Sequence, residues 1–165
     1  MTVAANFLIT GPPGIGKTTL IRNICSALSD QHIAGFYTEE MRLDGERQGF
    51  ELVGLNGARA LLAHVDNRSP FRVGKYGVDI DSLDRFIQTL DCLAPAIDLI
   101  VIDEIGKMEC FSAVFRDLAQ RALASETPVV ASVAHRGGGF IAEVKERWDV
   151  RLFDMGWDNR DHLLP

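Results

Sequence analysis

The sequence predicts an α/β domain, a mixed and mostly parallel sheet flanked by helices, with an antiparallel hairpin inserted after the first βα unit. Three stretches predict it. The apolar run Phe7-Leu8-Ile9-Thr10 leads into Gly11-Pro12-Pro13-Gly14-Ile15-Gly16-Lys17-Thr18, which opens a helical periodicity from Thr19 to Leu28. Asp98-Leu99-Ile100-Val101-Ile102-Asp103-Glu104 is an apolar run without alternation, the pattern of a strand buried on both faces, as in parallel sheets. Between them, Gly35 to Leu43 and Gln48 to Leu55 flank Asp44-Gly45, the signature of two antiparallel strands joined by a short turn.

The first stretch meets every fixed position of G-x-x-x-x-G-K-[ST]. Polyphosphate is held best by a loop that turns consecutive backbone N–H groups inward, a curl that bulky side chains would obstruct. Gly11, Pro12, Pro13, Gly14, Ile15, Gly16, Lys17, Thr18 and Thr19 are therefore the candidate phosphate-binding residues. Lys17 supplies a cation at the β- and γ-phosphates, Thr18 offers a hydroxyl to Mg²⁺, and the first helical turn adds its positive dipole end.

In the helix that follows, Leu20, Ile21, Ile24, Cys25 and Leu28 recur on one face, with Arg22, Asn23 and Ser29 on the other. After the hairpin, Asn56-Gly57 marks a turn, Arg59 to His64 is a short connecting stretch, and Asp66 to Pro70 is a polar surface loop. Arg72 to Ile80 reads as a further strand region, and Asp81 or Ser82 caps a helix with Leu83, Phe86, Ile87 and Leu90 on its buried face, closed by Pro95. At the end of the Asp98 to Glu104 strand, ligands of an open parallel sheet collect. That places Asp103 in the Mg²⁺ shell and Glu104, pointing to the other face of the strand end, as the base for an attacking water.

Downstream, Ser112 to Ala124 is a core-facing helix and Val129 to Val133 a strand whose Ser132 is placed to reach the γ-phosphate or the water. His135-Arg136-Gly137-Gly138-Gly139 reads as a mobile surface turn, with Arg136 a candidate to close on the phosphates. A helix near Phe140 to Arg147 and a strand near Val150 to Phe153 complete the α/β order. The tail from Asp158 docks by Leu163 and Leu164 while Arg160 faces the site. Trp148 and Trp157 read as packing or rim residues before base-stacking ones.

Composition narrows the function. A chain of 165 residues, 47% hydrophobic and 24% charged, suits one soluble domain spanning residues 1–165. The net charge of -6 and the lack of a basic stripe argue against a nucleic-acid partner. Cys25, Cys92 and Cys110 form no paired motif and read as reduced thiols, and His32, His64, His135 and His162 show no metal-ligand spacing. Met1 to Asn6 has no basic leader region and no apolar run is long enough for a bilayer, so a cytoplasmic protein without a membrane partner is expected. A monomer is expected separately.

Several blocks taken together resemble the cancer-related nucleoside triphosphatase family. They are G-P-P-G-I-G-K-T-T-L near the N-terminus, G-F-Y-T-E-E-M-R at Gly35 to Arg42, R-Q-G-F at Arg47 to Phe50 and R-V-G-K-Y-G-V-D at Arg72 to Asp79. V-I-D-E-I-G-K-M-E at Val101 to Glu109 and N-R-D-H-L-L-P at Asn159 to Pro165 complete them. The resemblance implies a RecA-like P-loop fold and slow, Mg²⁺-dependent hydrolysis of nucleoside 5′-triphosphates to diphosphate and phosphate, with ATP, GTP, CTP and UTP all accepted. Carried onto this sequence, it implies that Gly14, Gly16, Lys17, Thr18 and Thr19 hold phosphates and metal, that Asp103 and Glu104 handle metal and water, and that Arg160 contacts nucleotide. Thr38, Glu40 and Arg42 alternate along one strand face toward the same site.

Two rival functions use the same parts. A nucleotide or small-molecule kinase would close a lid over an acceptor, for which Asp44 to Arg47 and Asp66 to Tyr76 are the available contacts. A GTPase switch would use Asp103-Glu104-Ile105-Gly106 as a D-x-x-G, but a guanine-reading N-K-x-D is absent.

Overall fold

A computed structural model describes residues Asn6 to Leu163. The strands are β1 (Asn6–Thr10), β2 (Ile33–Leu43), β3 (Glu46–Gly54), β4 (Arg59–His64), β5 (Arg72–Val73), β6 (Tyr76–Val78), β7 (Leu99–Ile105), β8 (Val129–Val133) and β9 (Val150–Asp154). The helices are α1 (Lys17–Ala27), α2 (Ile80–Gln88), α3 (Ala113–Ala124) and α4 (Phe140–Lys145). One sheet runs β5-β6-β4-β3-β2-β7-β8-β1-β9. Pairing is parallel from β2 through β7, β8 and β1 to β9, and antiparallel from β2 outward through β3, β4, β6 and β5. Among the described residues, β3 and β6 thus run against the rest, which is the expected mixed, mostly parallel sheet.

The unbroken apolar runs are explained by two covered faces. On one side Leu8, Phe36, Ile100 and Ile102 pack with Leu83 and Phe86 of α2 and Phe115 of α3; on the other Ile9, Leu99 and Val101 pack with Leu20 and Ile21 of α1. Phe36 lies edge-on to Phe86 with centroids 5.7 Å apart. At β2 a Cβ on Gly35 would stand 1.8 Å from the Val101 carbonyl oxygen, so the parallel β2–β7 contact needs glycine there.

Three local expectations change. Arg59 to His64 is a full strand, because its pairing with β3 satisfies a backbone that a connecting stretch would leave open. The Arg72 to Ile80 region splits into β5 and β6 around a turn at Gly74, whose φ is +56°. Asp79, not Asp81 or Ser82, caps α2: its carboxylate accepts the Ser82 N–H at 2.9 Å, three residues on. Leu163 packs in the α1-side cluster, while Leu164 lies outside the described residues.

Candidate functional site

The loop between β1 and α1 curls because Gly14 and Gly16 take φ of +77° and +111°, values that side chains other than glycine's resist. α2 and α3 begin with side-chain caps from Asp79 and Ser112, but α1 begins on Gly16 with no side-chain cap and no acid in its first turn. Its first N–H groups and its positive dipole end are left for an anion. Lys17 folds back over the loop, its Nζ donating to the Gly11 carbonyl oxygen at 2.7 Å and standing 3.7 Å from Glu104 Oε2.

β7 delivers the acids. Thr18 Oγ1 donates to Asp103 Oδ2 at 2.7 Å, and Ser132 Oγ donates to Asp103 Oδ1 at 2.5 Å. Asp103 is only 1% exposed, and burial raises its pKa against the opposing hydrogen bonds of Ser132, Thr18 and the Thr38 N–H and the charge of Lys17. Burial likewise raises the pKa of Glu104; Lys17 opposes the shift and Asp103 adds to it. The Asp103–Glu104 peptide is cis.

These groups share one cleft of about 1220 Å³, lined by the loop, by Asp103 and Glu104, and by residues of β2, β3 and β6. Asp103 and Glu104 both line it, so strict alternation, which would send Glu104 to the opposite face, does not hold at this strand end. The register of β7 against β8 shifts between Ile102 and Ile105, which releases the two acids from regular pairing.

Other expected positions divide. Pro12, Pro13, Gly14, Gly16, Lys17, Thr18 and Thr19 line the cleft, as do Thr38 and Glu40. Gly11 contributes its carbonyl beneath Lys17, and the Ile15 side chain is 1% exposed in the core, leaving only its backbone for a ligand. Ser132 is fully buried and holds Asp103, so its hydroxyl is spent on that carboxylate rather than on a phosphate or water. Arg42 does not line the cleft: the strand bulges between Met41 and Arg42, and the guanidinium turns back onto Glu40 with contacts of 2.9 and 2.6 Å. Arg160 lies over the Trp157 ring at 4.9 Å and 3.5 Å from Asp161, outside the cleft. Trp157 and Trp148 are 72% and 89% exposed, so neither is a packing residue. His135 and Arg136 do line the cleft, so the surface turn of the sequence lies at its rim.

The sequence chemistry missed Glu109. It follows β7 in a 3-10 turn, is 5% exposed, and lies across Gly106 from Glu104: a Cβ on Gly106 would stand 2.5 Å from Glu104 Oε1 and 2.9 Å from Glu109 Oε2. Burial, then the charge of Glu104, raises its pKa well above the usual range, while the N–H groups of Glu109 itself and Gly106 partly oppose this. The clue lay in the third acid of the Val101 to Glu109 block, whose spacing from the strand end alone does not report burial.

Comparison with known proteins supplies what geometry cannot. A family described as NTPase matches residues 6–165. The chain belongs to this NTPase family. It is 45% identical over 158 residues to the nucleoside-triphosphatase THEP1 of Thermotoga sp. (strain RQ2), covering 95% of this chain and 90% of that protein. It is 37% identical over 179 residues to the cancer-related nucleoside-triphosphatase of Homo sapiens, covering 99% of this chain and 94% of the other. Among solved structures, the crystal structure of THEP1 from the hyperthermophile Aquifex aeolicus matches with a TM-score of 0.85 at 32% identity, covering 95% of this chain and 93% of that one. The solution structure of a human cancer-related nucleoside triphosphatase matches with a TM-score of 0.80 at 38% identity, covering 98% and 94%. The P-loop NTPase fold is therefore shared, and the family resemblance of the sequence blocks holds over nearly the whole chain. No helix among the described residues is long and apolar enough to cross a membrane.

Proposed function

We propose that this chain hydrolyses the terminal phosphate of nucleoside 5′-triphosphates with Mg²⁺, accepting ATP, GTP, CTP and UTP. The observation that carries the proposal is the meeting of Lys17 and Thr18 with Glu104 and Asp103, at 3.7 and 2.7 Å, within one cleft. The relatives' names, which specify nucleoside-triphosphatases, support the same activity.

The donor set suits the metal. Thr18 and Asp103 offer hard oxygens 2.7 Å apart. Mg²⁺ fits such a site because it keeps several waters and is held by one or two protein oxygens together with substrate phosphates. When bound, the ion neutralises charge on the phosphoryl oxygens. The loop N–H groups and Lys17 hold the phosphates, and Ser132 fixes the carboxylate of Asp103. Glu104 orients a water and takes its proton as the water oxygen bonds to the terminal phosphorus. The bond from that phosphorus to the bridging oxygen breaks, and diphosphate leaves with the electron pair.

The test is phosphate release by the purified chain from each of the four triphosphates, with Mg²⁺ and with a chelator. Comparable release from all four, abolished by the chelator, is expected. Strict GTP use, or transfer to an added nucleoside acceptor outpacing phosphate release, would replace this function with one of its rivals. We also place the activity in a cytoplasmic monomer, for which sedimentation at the 18.2 kDa of one chain is the expected result.

A further inference from the structure

The cleft is longer than the phosphate site needs. Its volume of about 1220 Å³ exceeds the roughly 1,000 Å³ upper range of pockets for one small ligand. Strand order explains where the excess lies. The phosphate loop leaves β1, two strands from β7 with its acid pair, and β3 lies two strands further on. With neighbouring strands about 4.8 Å apart, Glu104 stands roughly midway, on the order of 10 Å from each end. A triphosphate held on the loop with its terminal phosphate at Glu104 therefore leaves the β3–β6 end unfilled.

That end is built from Arg47, Phe50, Leu62, Val73 and Tyr76. Phe50 and Tyr76 meet edge to face at 5.2 Å, and the Arg47 guanidinium lies over both rings at 5.2 and 5.7 Å. Arg47 Nε donates to the Tyr76 hydroxyl at 2.9 Å and Nη1 to Glu40 Oε1 at 3.1 Å. A guanidinium has five N–H donors. Among the described residues, then, Arg47 is aimed by two contacts and its Nη2 keeps both N–H groups unengaged. The acids beside it are already answered: Glu40 is met by Arg42 as well as Arg47, and Glu39 by Arg59 at 2.7 Å. An aimed arginine with open donors next to aromatic and aliphatic walls is a recognition surface for an anionic group attached to a flat ring.

We propose that the β3–β6 end of the cleft is a second binding site, beyond the terminal phosphate, for a small molecule of the nucleoside-monophosphate class, bound together with the triphosphate. It rests on the triphosphate site proposed above for its orientation. Arg47 holds the anionic group through Nη2, the part-exposed apolar edge of Phe50 and Val73 lies against the ring, and Tyr76, 7% exposed, aims the guanidinium from beneath.

The experiment is calorimetric titration of adenosine 5′-monophosphate into the full chain saturated with Mg²⁺ and a non-hydrolysable ATP analogue. Saturable binding to the analogue-loaded protein is expected. Arg47→Ala should weaken it by about tenfold or more while analogue affinity stays within about twofold. Arg47→Lys keeps the charge but not the fork and should weaken binding by a smaller factor; Tyr76→Phe keeps the ring but not the hydroxyl that aims Arg47 and should do the same. Adenosine without phosphate should bind more weakly than the monophosphate. Absence of binding to the loaded protein, displacement of the monophosphate by the analogue, or wild-type affinity in all three variants overturns the second site. If the wild type fails to bind the analogue itself, the phosphate-loop proposal falls; if only the monophosphate fails, this one does.

Discussion

Thr18 Oγ1 donates to Asp103 Oδ2 at 2.7 Å, a bond between the first turn of α1 and the end of β7 spanning 85 positions of the chain. It fixes against each other the two oxygen-bearing groups proposed above to hold Mg²⁺, and Ser132 from β8 holds the second carboxylate oxygen. Three elements thus converge on one carboxylate, which is 1% exposed. Burial at that depth is tolerated because both carboxylate oxygens accept hydrogen bonds, as buried polar groups require.

Asp103→Asn should separate metal binding from folding. The amide keeps the shape and most hydrogen bonds but removes the charge that attracts the ion. Turnover should fall by about a hundredfold, and the Mg²⁺ concentration for half-maximal rate should rise by about tenfold or more. The unloaded variant should melt no lower than the wild type, because a neutral amide is less costly to bury than a carboxylate. Unchanged Mg²⁺ dependence in phosphate release would remove Asp103 from the metal site.

Glu104→Gln and Lys17→Ala should fail differently. The glutamine variant keeps Lys17 and the loop, so nucleotide affinity should persist while turnover drops by about a hundredfold or more, the scale of a lost positioned base. Lys17→Ala removes the cation held 2.7 Å from the Gly11 carbonyl and 3.7 Å from Glu104, so affinity and turnover should fall together. Binding of a fluorescent triphosphate analogue, measured beside phosphate release, distinguishes them. Normal hydrolysis by Glu104→Gln would mean that another group activates the water.

Ser132→Ala tests a support rather than a ligand contact. Removing the hydroxyl leaves Asp103 Oδ1 without its donor, a loss of about 1.5–3 kcal/mol, the range for a hydrogen bond to a charged group. The expected result is a lower melting temperature and a several-fold loss of rate, with nucleotide affinity little changed. Ser132→Thr, which retains the hydroxyl, should recover most of the rate if the strand accommodates the methyl. A selective loss of nucleotide affinity would instead return Ser132 to the phosphate.

Much of this architecture was legible because it is written in short-range chemistry. The loop from Gly11 to Thr18 carries its own geometry in its glycines, and the Leu99 to Ile102 run reports two-sided burial without any tertiary knowledge. What escaped depends on contacts between distant segments. Alternation predicted opposite faces for Asp103 and Glu104, but the shifted β7–β8 register places both at the cleft. Arg42 shared a period with Thr38 and Glu40 until the bulge at Met41 turned it aside. Arg160 sat in a quoted motif, yet its position over Trp157 is set by the fold of the final segment. Glu109 needed the turn after β7 to bury it, and nothing in its neighbours announces that turn.

Glu109→Gln should flatten the pH dependence of stability. Asp103, Glu104 and Glu109 all hold their protons more tightly in the folded chain, burial being the first cause in each. Above the ordinary carboxylate range the folded state then binds more protons than the unfolded one, so stability is fully present below about pH 4.5 and declines as pH rises through the raised values. Glu40, Glu51 and Asp98 have lowered values and lose their contribution on the acid side instead. Glutamine reproduces the size and neutrality of the protonated acid but cannot ionise. In melts of the nucleotide-free protein from about pH 5 to pH 8, the variant and the wild type should agree at the acid end. Toward the alkaline end the variant should fall less steeply. Parallel slopes would show that Glu109 is not protonated in the folded chain and that the buried site carries its charge.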